Sequence, residues 1–181
     1  LEKAHFPRFS IGESLLPQSM EFLQQAGMLQ AVEEAGFQYK NGAAFSRAEA
    51  YDSFDFRQKS SPGWGTTFQV QRDRFDQILA DCASLNGVEI CYGQTVVAVR
   101  PADDSVAIDV ESDSGENRQI SARFILDGSG FGRVLPRLFK LEKASALASR
   151  VSLFTHIEDH ITEARFDRNK ILITVHPTHP D

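Results

Sequence analysis

Between Asp73 and Asn86 the apolar residues Phe75, Ile78, Leu79, Cys82 and Leu85 recur at three- and four-residue spacing, which predicts an amphipathic helix. Asp73 and Asp76 suit its positive end and Gly87 its stop. A second helix is expected over about Ser14 to Ala26, with Leu15, Leu16, Phe22 and Leu23 among its apolar positions and Pro17 in the first turn, where a missing N–H costs little. Gly27 ends it, and Gly36 ends a shorter helix that follows. Elsewhere the pattern is that of strands. Phe37-Gln38-Tyr39, Ala43-Ala44-Phe45, Phe54-Asp55-Phe56 and Thr67 to Val70 are short and separated by Asn41-Gly42 and Ser61-Pro62-Gly63, as in an antiparallel sheet. Val88 to Tyr92, Thr95 to Val99, Val106 to Val110 and Ile120 to Leu126 follow. Val106, Ile108 and Val110 alternate with polar residues, whereas Phe124-Ile125-Leu126 is continuously apolar, the pattern of a strand buried on both faces. Strand character returns at Leu153-Phe154-Thr155 and from Ile171 to Val175.

Two textures therefore interleave. Helices with parallel strands are expected over 1–36 and 71–148, and a sheet-rich part over 37–70 and 149–181: a cofactor domain interrupted twice by a second domain. Leu1-Glu2-Lys3 reads as the tail of a strand begun earlier, so upstream sequence is expected.

Composition narrows the classes. The 181 residues are 41% hydrophobic and 24% charged, an ordinary globular balance, with a net charge of −6. No basic stripe suits nucleic acid, and no apolar run reaches the length of a membrane span. Cys82 and Cys91 offer neither a disulfide framework nor zinc spacing; they read as small buried hydrophobes in a reducing, cytoplasmic setting. His176-Pro177-Thr178-His179 could be read as a metal pair, but Pro177 forbids a helical pairing and no acidic cluster accompanies it, so a structural or solvent role is expected.

Five features could carry chemistry. Glu2 sits where doubly wound folds place an acid for ribose hydroxyls. Gly12, followed by Glu13 and Ser14, permits close backbone approach before a helix whose first N–H groups suit an anion. Arg72 opens the amphipathic helix, where a guanidinium reaches phosphate or ribityl oxygens. Asp127 and Gly128 end the apolar run and begin a glycine-rich loop, which points to a ligand over a strand's carboxyl end. Lys40 lies on a short strand beside Asn41-Gly42; the ordinary reading is a surface lysine at a hairpin, and the chemical one a desolvated amine. Phe45, Phe54, Phe56, Trp64 and Phe68 could line an aromatic pocket, although packing within the sheet is the plainer role.

In order, "LEKAHFPRFSIGESLLP", "GFQYKNGAAF", "FQVQRDRFDQILADCA" and "ARFILDGSGFGRVLPRLF" resemble segments of the flavin-dependent halogenases and their geranylgeranyl reductase-like relatives, with Gly128 where alanine is common. The resemblance covers about 1–156. It implies an α/β fold: an FAD-binding, Rossmann-like domain of the p-hydroxybenzoate hydroxylase type, interleaved with a mostly antiparallel substrate-domain sheet and incomplete at both ends. By the same resemblance FAD is the cofactor. Glu2 would bind the adenosine ribose, with Val97 near the adenine. Arg8 and the Gly12-Glu13-Ser14 turn would lie along the diphosphate and flavin. Arg72 would contact FAD, and Asp127 and Gly128 would line the cofactor channel. A Gly-x-Gly-x-x-Gly turn and a Gly-Asp motif of the family fall outside these residues, so the chain by itself is expected to hold FAD weakly. Lys40 matches the lysine that positions a hypohalous acid toward an electron-rich aromatic or polyene-type small molecule. A separate flavin reductase or NAD(P)H would supply electrons. The alternatives are a reductase or monooxygenase without halide chemistry and a non-catalytic flavin-binding module.

Overall fold

The computed structural model describes residues 1–162 and 164–178. In chain order the elements are α1 (Pro17–Gln25), α2 (Leu29–Glu34), β1 (Gln38–Lys40), β2 (Gly42–Arg47), β3 (Ala50–Asp55), β4 (Thr67–Gln69), α3 (Arg72–Leu85), β5 (Gln94–Pro101), β6 (Val106–Ser112), β7 (Asn117–Ala122), α4 (Val134–Leu138) and β8 (Lys170–Thr174). A 3-10 turn spans Gly130–Gly132. Packing divides the chain into two compact units, one made of Leu1–His5 and Glu89–Ile157, the other of Phe6–Val88 and Glu158–Asp181.

The second unit is built on α1, α2 and α3. Their apolar stripes bury Met20, Leu23, Val32 and Phe75 against Phe37 and Val70. Phe75 meets Phe37 edge to face, with ring centroids 6.2 Å apart. Leu85 departs from the predicted stripe: it is 88% exposed, because the last turn of α3 runs past the core. The predicted start of α1 at Ser14 also moves. Leu15 N–H donates to Phe68 O (3.2 Å) and Ser14 bridges Gln69, so the chain remains extended until Pro17 sets the first helical turn.

β4 therefore carries backbone partners on both edges, the 13–15 segment on one and β1 on the other, with Gln38 facing Gln69 and Lys40 facing Thr67. β2 pairs with β3 antiparallel through the tight turn after Arg47 and with β8 in parallel, Gly42 opposite Lys170. Gly42 is required here: a Cβ would stand 2.1 Å from the Phe54 carbonyl oxygen.

The first unit is an antiparallel meander, β5-β6-β7. The parallel strands expected after residue 71 are not found there. The short connections at 102–105 and 113–116 can join only antiparallel neighbours. Val106, Ile108 and Val110 alternate inward from β6 and pack with Val99, Ile125, Leu135 and Leu138.

Three predicted strands do not form, and the one expected from Ile120 to Leu126 is realised only as far as Ala122, the end of β7. Phe124 and Leu126 are 77% and 86% exposed, and only Ile125 of that run joins the core. Residues 151–155 are likewise irregular. Among the described residues no strand pairs with either run, and a strand exists only through its partners. The segments 1–3 and 88–92 exchange too few bonds for a ladder: Glu2 N–H donates to Cys91 O (2.9 Å), and Gln94 N–H donates to Glu2 O (3.0 Å). Both cysteines are free and half-buried rather than buried. Among the described residues, no helix is long and apolar enough to cross a membrane.

Candidate functional site

Six of the singled-out residues, Arg8, Gly12, Glu13, Ser14, Lys40 and Arg72, belong to the second unit. There α3 begins with Arg72, and one carboxylate organises the arginines. Asp76, one turn on, accepts from Arg72 Nε (2.7 Å) and Nη2 (3.0 Å) and from Arg8 Nη1 (3.1 Å). The Arg8 guanidinium also lies over the Phe6 ring, 4.7 Å from its centroid. Arg72 Nη1 donates to Ile11 O (2.7 Å), just ahead of Gly12. Gly12 has φ +97°, and a Cβ there would come within 3.0 Å of Arg72 Nη1. Both the left-handed backbone and the closeness of the guanidinium therefore call for glycine.

Beyond Gly12 the chain is pinned to β4. Val70 N–H donates to Glu13 O (2.8 Å), and Ser14 bridges Gln69. Lys40 Nζ donates to Ser14 Oγ at 2.5 Å and lies 5.7 Å from the centre of the Phe56 ring. Lys40 is only 2% exposed, so the surface-lysine reading of the sequence gives way to a buried amine. Desolvation pushes its pKa below the ordinary lysine value of 10.5. Among the described residues no carboxylate lies within ion-pair distance of it.

Two cavities flank this centre. One, of about 240 Å³, is lined by Lys40, Tyr39 and Gln69 together with Phe166, Asn169 and Lys170. The other, of about 300 Å³, is walled by Phe54, Phe56 and Trp64 with Pro17 and Pro62. The aromatic-pocket reading thus holds for Phe54, Phe56 and Trp64, whereas Phe68 packs on the core and Phe45 stacks on Phe54 in the sheet.

Glu2, Val97, Asp127 and Gly128 belong to the first unit, each held by its own local device. Glu2 is half-buried, and its Oε1 accepts from Ala4 N–H (2.9 Å). Val97 sits at the bulge of β5, where the register skips between Val96 and Ala98, and is exposed. Asp127 accepts from Ser129 N–H and, across the glycine turn, from Leu135 N–H at the start of α4, both at 2.9 Å. Hydrogen bonds from the Ser129 side chain and from the Leu135 and Ser129 amides hold its carboxyl below the usual range. Gly128 faces open space, with nothing within 4 Å of where its Cβ would be.

Sequence reasoning missed the orienting role of Asp76, read only as a charge suited to a helix start. The signal was available in its i, i+4 spacing from Arg72. Asn41 was also missed. It is buried, accepts from Lys170 Nζ (3.2 Å) and joins β1 to the 169–170 segment through Asn41 N–H to Asn169 O (2.8 Å). His176 Nδ1 lies 3.1 Å from Thr178 Oγ1, and His179 lies outside the described residues. Among the described residues no cluster of three or more His, Cys, Asp or Glu is placed to hold a metal ion.

The residues present fit a flavin dinucleotide. Arg72 uses three of its five N–H groups within the described chain, which leaves two for an outside oxygen, and it adjoins a glycine that keeps the backbone approachable. The family described as "FAD binding domain" matches residues 4–138. A tryptophan 2-halogenase from Chondromyces crocatus is 36% identical over 132 residues, covering 72% of this chain and 25% of that protein. The solved structure of a flavoprotein/dehydrogenase from Cytophaga hutchinsonii is 46% identical with a TM-score of 0.79, covering 81% of this chain and 37% of that one. That of the flavin-dependent halogenase CmlS is 29% identical with a TM-score of 0.69, covering 77% and 26%. The chain spans about a quarter of the length of the halogenase from Chondromyces crocatus.

Proposed function

Because the chain belongs to the FAD-binding domain family, with FAD as cofactor, we propose that it is part of an FAD-dependent oxidoreductase of the halogenase-like kind, acting on an aromatic or polyene-type small molecule. The observation that carries this reading is Lys40: an amine 2% exposed, without a carboxylate partner among the described residues, hydrogen-bonded to the turn that follows Gly12. A lysine does not enter a protein interior without a reason, since burial disfavours its charge. Held there, its N–H groups can orient a small oxidant such as a hypohalous acid, and desolvation lowers its pKa from the ordinary lysine value, which eases loss of its proton.

The residues that would hold FAD are Glu2 at the adenosine ribose, Val97 near the adenine, Arg8, Gly12, Glu13, Ser14 and Arg72 along the diphosphate and flavin, and Asp127 and Gly128 at the channel. When bound, FAD supplies the redox chemistry. The chain's own part is to aim the guanidiniums through Asp76, to keep the Gly12 backbone open, and to shield Lys40 from water. The cavity walled by Phe54, Phe56 and Trp64 also carries Glu21, Asp55 and Lys59, which suits a flat aromatic substrate bearing polar groups, and Phe56 stands 5.7 Å from the amine. In this reading 1–36 and 71–148 serve the cofactor and 37–70 and 149–181 the substrate. A separate flavin reductase or NAD(P)H supplies the electrons. Two free cysteines suit a reducing, cytoplasmic setting.

A second reading is an FAD-dependent reductase, dehydrogenase or monooxygenase without halide chemistry. It is favoured by the 46% identity to the Cytophaga hutchinsonii flavoprotein/dehydrogenase. One experiment separates the two. The full-length protein is supplied with FAD, reductant, oxygen, chloride or bromide, and electron-rich aromatic compounds, and the products are weighed by mass spectrometry. The halogenase-like reading expects halogenated product that disappears in Lys40→Ala while flavin oxidation continues. Substrate oxidation or reduction without halogen supports the second reading. Flavin binding without any turnover leaves only a binding module.

A further inference from the structure

We infer that Ser14 is a positioning residue for Lys40, its hydroxyl tying the amine to the backbone turn that begins at Gly12. The inference deepens, and rests on, the reading of Lys40 as the reactive amine. The bond to Ser14 Oγ, at 2.5 Å, is the one hydrogen bond of Lys40 Nζ among the described residues. Its geometry follows from the sheet. Gln69 of β4 pairs with Gln38 on one edge and with Ser14 on the other, so Lys40, opposite Thr67 on β1, reaches across β4 to the hydroxyl. Thr67, the register partner of Lys40 on β4, is itself only 1% exposed.

The hydroxyl itself is fixed. Glu13 O accepts from Val70 N–H (2.8 Å) and Leu15 N–H donates to Phe68 O (3.2 Å), so the residues on both sides of Ser14 are locked to β4. Amine and acceptor are thus presented by two chains hydrogen-bonded to one central strand, and neither can shift without breaking that lattice. The charges on neighbouring elements are occupied with one another. Lys170 Nζ, at the start of β8, is paired with Asp167 (2.6 Å), Asp55 of β3 is paired with Arg57 (2.5 Å), and Arg168 with Asp159. The neutral hydroxyl of Ser14 is therefore what orients Lys40, while desolvation lowers its pKa from the ordinary lysine value.

The test follows the Lys40 side-chain resonance against pH in full-length protein carrying isotope-labelled lysine, assigned by its loss in Lys40→Arg. Wild type, Ser14→Ala and Ser14→Thr are compared, with FAD titration and thermal melting alongside. Wild type is expected to titrate below the ordinary lysine value. Ser14→Ala titrates lower still, since the ammonium loses its acceptor, and Ser14→Thr, which keeps a hydroxyl, returns toward wild type. Halogen transfer by Ser14→Ala falls on the order of 10- to 100-fold, as for a displaced reacting group, and this loss persists at saturating FAD, so it exceeds whatever the variant loses in FAD affinity. A Lys40 titration that Ser14→Ala leaves in place overturns the inference. So does a loss confined to FAD affinity, which makes Ser14 a cofactor contact only. Should Ser14→Ala fail to fold, Ser14→Cys, of similar size and with a weak acceptor, gives the same comparison. A Ser14-dependent titration in a protein that never transfers halogen keeps the positioning role and removes the halogenase reading. An unchanged titration beside normal Lys40-dependent halogenation does the reverse.

Discussion

Replacing Gly42 by alanine acts on the backbone joint next to Lys40. The added Cβ would stand 2.1 Å from the Phe54 carbonyl oxygen, whereas Cβ atoms in proteins essentially never come closer than 3.0 Å, so β2 and β3 must part by about 0.9 Å. The opposing atom is backbone, so no side chain can swing aside. The bond at this joint, Phe56 N–H to Asn41 O, is 2.7 Å long, and the same displacement stretches it to about 3.6 Å, beyond hydrogen-bond range. Overpacking costs about 1–3 kcal/mol, and the lost backbone bond adds about 1 kcal/mol. The expected destabilisation of Gly42→Ala is thus about 2–4 kcal/mol, read from denaturant unfolding of the full-length protein at constant m-value. Gly128→Ala is the internal control. Nothing lies within 4 Å of its Cβ position and its φ is not positive, so its stability should stay within about 0.5 kcal/mol of wild type. A Gly42→Ala protein as stable as Gly128→Ala would refute the argument that this joint is closed by backbone contact.

Asp76→Ala removes three charge-assisted bonds from two guanidiniums, so a loss of about 2–4 kcal/mol is expected in the same unfolding assay; a change under about 0.5 kcal/mol would mean that solvent replaces the clamp freely. Lys40→Met tests the buried amine through pH. The native pKa lies below 10.5, so between the two values the unfolded chain binds more protons. Wild-type stability should therefore rise with pH across that window, with the full cost of burial felt below it. The wild-type minus Lys40→Met difference in unfolding free energy should show this slope, and a flat difference would place the amine in water.

The sequence made its secondary structure legible wherever a segment's own residues decide the outcome. α3 was readable because Phe75, Ile78 and Leu79 repeat at helical spacing and face one core, and β6 because Val106, Ile108 and Val110 alternate. Segments whose state depends on a partner were not readable. Phe124 to Leu126 has the composition of a buried strand, yet composition cannot supply the neighbour that a strand needs. The parallel pairing of β8 with β2 joins residues about 130 positions apart, a contact that no local pattern encodes. The arginine at the start of α3 and the glycine turn were visible as residue types. The carboxylate that aims Arg72 and Arg8 was not recognised, because Asp76 on a helix looks like any solvated acid. Lys40 is the sharpest case: its strand and its Asn41-Gly42 neighbours suggest a surface hairpin, and only the resemblance to a flavin family pointed to the burial that the fold produces by laying β1 and the 13–15 segment on opposite edges of β4.

The most direct measurement is a calorimetric titration of the full-length apoprotein with FAD, in wild type and in Arg72→Ala. Saturable binding with one FAD per chain is expected in wild type. Losing the charge-assisted bonds of one guanidinium, worth about 1.5–3 kcal/mol, should weaken it by about 10- to 150-fold. A wild-type protein that takes up no FAD under any reconstitution conditions would contradict the account at its root.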